Sequence, residues 1–92
     1  MIKSIKHKGL KRFYQSGNMS GIQAKHARKL REQLLQLNAA EKVADMDFPG
    51  YSLHSLKGDR SDTWSISVGA NWRLTFEFRG SNAYVVNYED YH

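Results

Sequence analysis

Residues 64–88 read WSISVGANWRLTFEFRGSNAYVVNY, and the period of this stretch decides the fold. Trp64, Ile66 and Val68 alternate with Ser65 and Ser67; beyond Gly69–Asn71, Trp72, Leu74, Phe76 and Phe78 alternate with Arg73, Thr75, Glu77 and Arg79. A period of two marks strands with one buried face. The links GAN (69–71) and GSN (80–82) are short enough to be tight connections, so a three-stranded antiparallel meander is expected, ending in AYVVNY. The stretch SLHSL, residues 52–56, is a candidate for a further strand.

Upstream the period becomes helical. Ala27, Leu30, Leu34 and Leu37 recur at three- and four-residue steps, and Ser20 followed by Gln23 has the spacing of a capping box at the helix start. HKGLKRFYQSG (7–17) predicts a shorter helix with Leu10, Phe13 and Tyr14 inward, closed by Gly17. IKSIK (2–6) predicts a short first strand, Asn38 with Glu41 a third helix through Ala44, and DFPGY (47–51) a turn. Helices come first and strands after. The expected class is therefore α+β, a small antiparallel β-sheet with N-terminal helices packed on one face, as a single domain over residues 1–92.

Composition narrows the setting. With 40% hydrophobic residues the chain is too apolar to be disordered. It has no cysteine, which excludes disulfides and thiolate metal sites and suits a reducing cytoplasm. No apolar run approaches the roughly 20 residues that cross a bilayer, and MIKSIKHKG lacks the apolar core of a signal peptide, so a cytoplasmic protein without a membrane partner is expected. Charge is uneven. Residues 1–42 hold ten Lys and Arg against Glu32 and Glu41, a balance of +8, whereas residues 43–92 balance to −3. A basic half favours a polyanion such as nucleic acid, with Lys25, Arg28, Lys29 and Arg60 as candidate contacts; a solvated helical surface is the plainer reading.

A sheet covered on one side leaves its other face free for chemistry. His54 lies between Leu53 and Ser55, Arg73 between Trp72 and Leu74, and Lys57 opens the KGDR turn. If the tail runs extended, Asp90 and His92 share a side and Glu89 and Tyr91 take the other. The free face is thus expected to gather His54, His92, Lys57, Arg73 and Asp90. Such a set suits metal-free cleavage of RNA by its own 2′-hydroxyl. Imidazoles titrate near neutral pH and can move protons, while the cations offset charge on the phosphate. Each residue also has a plain role: Arg73 as cross-strand partner of Glu77 or Glu89, Lys57 as a turn cation, His54 as an exposed histidine. His7 and His26 are expected on the surface, and Trp64, Trp72, Phe76 and Phe78 as packing. There is no GxSxG, HExxH or P-loop spacing, and no metal or cofactor is expected.

The segments LHSLKGDR, WSISVGANWRLTFEF and AYVVNYEDYH, with MIKSIKHKGLKRFY and AKHARKLREQL upstream, resemble the HigB host-inhibition toxins of the RelE/ParE superfamily of bacterial toxin–antitoxin systems. The resemblance spans nearly the whole chain. It implies a RelE-like microbial ribonuclease fold and a ribosome-dependent endoribonuclease that cuts mRNA in the ribosomal A site. It also implies neutralisation by a HigA-like helix-turn-helix antitoxin, with operator DNA bound only through the complex. Carried over by motif, the implied catalytic residues are His54, Lys57, Arg73, Asp90, Tyr91 and His92. Asp90 and His92 would transfer protons, and Tyr91 would orient or stack on the substrate, although alternation turns it away from Asp90. Serine at position 55, where many relatives have proline, departs from the pattern. The alternatives are a gyrase poison of the same superfamily and a non-catalytic nucleic-acid-binding module.

Overall fold

The computed structural model describes residues 1–91. Two helices, α1 (Lys8–Ser16) and α2 (Ala27–Ala39), precede an antiparallel sheet of β1 (His54–Ser55), β2 (Thr63–Gly69), β3 (Trp72–Arg79) and β4 (Asn82–Asp90) in the order β1-β2-β3-β4. The expected α+β arrangement and the extra strand from SLHSL are both present.

The helices form for local reasons. His7 caps α1, its Nδ1 accepting the Leu10 amide at 3.0 Å, and Gly17 closes it at φ 79 with its amide bonded to the Phe13 carbonyl. The α2 stripe buries Leu30, Leu34 and Leu37 against Leu10 and Phe13 from α1 and Ile66, Leu74, Phe76 and Val86 from the sheet. Burying each of these side chains contributes about 1.5–3 kcal/mol, and together they form the core.

Three local expectations are corrected. Helix α2 is entered through a 3₁₀ turn at Ala24–His26, and Gln23 makes no side-chain cap, so the Ser20–Gln23 box does not form. Asn38 stays inside α2, where its Oδ1 accepts the Ile2 amide at 2.9 Å; the third helix is instead a 3₁₀ turn at Val43–Met46, whose start is held by Asp45 accepting the Glu41 and Lys42 amides. IKSIK makes isolated parallel bridges, Ile2 with Ala83 and Ile5 with Val86, along the outer edge of β4.

That edge carries a bulge. Thr75 pairs with Asn87 but Glu77 pairs with Tyr84, so β4 contains one residue more than β3 across the same step. Val85 adopts φ 52 there; its amide is taken by Ser4 Oγ at 2.8 Å and the Val86 amide by the Ser4 carbonyl at 3.1 Å.

His26 also departs from expectation. It is 6% exposed, its Nδ1 lies 2.5 Å from Tyr88 Oη, and its ring meets Tyr88 and Trp72 edge-on. His7 packs against the same Tyr88 ring from another side, so neither histidine is a free surface residue. Backbone also crowds backbone: a Cβ on Gly9 would stand 2.3 Å from the Gly21 carbonyl oxygen, which ties α1 to the loop before α2.

Two outcomes are expected. Gly9→Ala should destabilise the protein by about 1–3 kcal/mol, the usual scale of overpacking, read as a lower urea midpoint; an unchanged midpoint would mean the loop yields freely. Burial first, and then the charge of Lys25, lowers the His26 pKa, and burial lowers that of His7. Folded values below the unfolded value of about 6.5 mean that stability is full above that pH and is lost as pH falls through the folded values. The drop in urea midpoint between about pH 7.5 and about pH 5.5 should therefore shrink in His26→Gln, and an equal drop in both proteins would reject His26 as its source.

Candidate functional site

The face of the sheet turned away from the helices is organised by register. Directly opposed residues share a face, so His54, Ser65, Thr75 and Asn87 form one row across all four strands. Ser67, Arg73 and Glu89 form the next row. His54 and Arg73 are two strands and one row apart, roughly 12 Å between α-carbons on ideal sheet spacings, a gap that two side chains and a phosphate can span.

His54 begins the two-residue strand β1 and is exposed. Its Nδ1 lies 2.8 Å from the carbonyl oxygen of Ser52, a residue at φ 52. A carbonyl can only accept, so Nδ1 carries the hydrogen and donates it. Neutral His54 therefore presents the lone pair on Nε2, which has no partner among the described residues, and can accept a proton there.

Lys57 is exposed and directly precedes the 3₁₀ turn Gly58–Arg60. Arg73 is half-buried. Among the described residues neither cation has a hydrogen-bond or ion-pair partner, because the two acids expected to neutralise Arg73 are engaged elsewhere. Glu77 is held by Arg79 at 2.6 Å. Glu89 receives both nitrogens of the Arg60 fork, at 3.0 Å and 2.6 Å, and the Thr75 hydroxyl at 2.5 Å. The Arg60 guanidinium, helped by Thr75 and opposed by burial, holds the Glu89 carboxyl below the usual carboxylate range. Arg60 Nη1 also lies 3.4 Å from Tyr91 Oη.

The chain end differs from expectation in its parity. Asp90 is registered opposite Trp72, so alternation places it on the helix-covered side, beside Tyr88, rather than with His54 and Arg73. The carboxylate and phenol on the Arg73 side belong to Glu89 and Tyr91. The Tyr91 amide bonds to the Asn71 carbonyl at 2.7 Å, which fixes where the strand ends. His92 lies outside the described residues. Lys25, Arg28 and Lys29 sit in the turn before α2 and its first residues, in the other layer, with Lys29 Nζ 5.1 Å from the centre of the Tyr51 ring. Arg60 does not join them; it is committed to Glu89.

The sequence reading missed the Arg60–Glu89–Thr75 network and the contacts of His26. The first joins residues 29 positions apart and the second residues 62 apart, and neither has a local sequence signal. Parity along β4 would have linked Glu89 to Tyr91, but not to Arg60. Among the described residues no three His, Asp or Glu side chains are arranged to hold a metal ion, and no helix is long and apolar enough to cross a membrane.

This architecture has known counterparts. Residues 3–92 match the family described as the RelE-like toxin of the type II toxin–antitoxin system HigB. The chain is also 47% identical to the endoribonuclease HigB of Proteus vulgaris over 92 residues, covering all of both chains. A match over nearly the full length, on the sheet-and-helix framework described above, means that the chain belongs to the HigB-like, RelE-related toxins of type II toxin–antitoxin systems.

Proposed function

We propose that this toxin is an endoribonuclease that cleaves messenger RNA in the ribosomal A site and so stops translation. Family membership and the Proteus relative carry the endoribonuclease activity itself. As a type II toxin it has an antitoxin partner, which we take to be a HigA-like helix-turn-helix protein that brings the pair to operator DNA.

The observation that most supports the catalytic reading is His54, an exposed imidazole whose donated Nδ1 hydrogen leaves Nε2 available, on the same face as the unpaired cation Arg73. In the proposed mechanism a base removes the 2′-hydroxyl proton and the resulting oxygen attacks the adjacent phosphorus. Arg73 and Lys57 offset charge on the non-bridging oxygens, and an acid protonates the leaving 5′-oxygen. His54, Asp90 and His92 share the proton transfers, and Tyr91 orients the substrate. Asp90 acts from the edge of the sheet, since its register turns it away from Arg73. Lys25, Arg28 and Lys29 supply a basic surface in the other layer for ribosomal RNA, whose contribution weakens as salt rises.

The test is 5′-end mapping of an mRNA on bacterial ribosomes, with a ribosome-free control. Codon-phased cuts are expected only with ribosomes. His54→Ala and His92→Ala should each lose about 10²–10⁴-fold in rate, the scale of general acid–base catalysis, and Arg73→Ala about 10²–10³-fold. Equal cutting without ribosomes, or unchanged rates in all three variants with their melting temperatures intact, would overturn the proposal.

A further inference from the structure

Arg73 and Glu89 are directly opposed on adjacent strands and on one face. Opposed Cβ atoms lie roughly 5 Å apart, and an opposite-charge pair in that position ordinarily closes. Here it is open. Glu89 Oε1 takes Arg60 Nη1, and Oε2 takes Arg60 Nη2 and the Thr75 hydroxyl. Arg60 comes from the turn between β1 and β2, yet it reaches the opposite edge strand of the sheet to make this bond. A planar fork matched to a carboxylate is a strong arrangement for an arginine, and here it engages both Glu89 oxygens.

We propose that Arg60 is a positioning residue for RNA cleavage: by occupying both oxygens of Glu89 it keeps that carboxylate off Arg73, which stays open toward a substrate phosphate. This rests on the reading of Arg73 as the phosphate-facing cation. A carboxylate and a phosphate oxygen compete for the same guanidinium face, so an Arg73 already paired with Glu89 would have to break that pair before serving the transition state. Arg60 removes the competitor in advance. Glu89 is then a latent inhibitor of the site.

The consequence is an unusual pattern among variants. Arg60→Gln should slow cleavage of ribosome-bound mRNA by about 10-fold or more, approaching the loss from removing a charge-stabilising donor. Removing the competitor as well, in Arg60→Gln/Glu89→Gln, should recover most of that loss, so that the double variant is faster than the single. Arg60→Gln/Glu77→Gln has the same net charge but leaves Glu89 in place, and it should stay slow. A merely structural Arg60 would give no such selective recovery. If Arg60→Gln lacks a thermal transition, Arg60→Lys, which keeps a charge but not the fork, takes its place in the same comparisons. Wild-type rates in Arg60→Gln, no recovery in the Glu89 double variant, or equal recovery in both double variants would overturn the proposal. Wild-type cleavage by folded Arg73→Ala would instead remove the reading of Arg73 on which it rests.

Discussion

The site depends on Val85. A β-branched residue at φ 52 is in a conformation that costs about 1–3 kcal/mol, and the hydrogen bonds on either side hold it there. Ser4 receives the Val85 and Val86 amides, and the Lys3 and Lys6 amides close onto the Ala83 and Val86 carbonyls on either side. The residue inserted there shifts the rest of β4 by one position against β3. Without it, Tyr88 would face away from the helices and Glu89 toward them. With it, Tyr88 reaches His26 and Glu89 joins the row of Arg73.

The same shift explains how much could be read in advance. The period of two in β2 and β3, the stripe of Leu30, Leu34 and Leu37, and the turns at Gly17 and Gly50 are local patterns, and each is present in the fold. The candidate cluster was legible as far as it depended on alternation within one strand, as for His54 and Arg73. It failed where a bulge reset the count, which turned Asp90 toward Trp72, and where partners came from distant segments, as with Arg60 and Glu89. His26 looked like a surface residue because its neighbours are Lys25 and Arg28, whereas the rings that cover it, Trp72 and Tyr88, come from distant strands.

The two layers divide the electrostatic work. The sheet layer holds a small number of acids, and the described ones on its open face are bound to arginines: Glu77 to Arg79 and Glu89 to Arg60. The helical layer keeps most of the positive charge, with two acids among residues 1–42. A polyanion is thus attracted by one layer and meets specific, unspent cations in the other.

The pairing of residues 1–6 with β4 has a consequence for synthesis. The amino terminus bonds to the Ser81 carbonyl, and Ser4 to Val85, contacts that span 80 and 81 positions. Residues 1–6 must therefore wait for β4 before they find their partners, and closing so long a loop is a slow, late step in folding. A nascent chain that has not reached residue 82 lacks β4, and with it the strand that carries Glu89 and Asp90. This topology delays the assembly of the candidate site until β4 has been made.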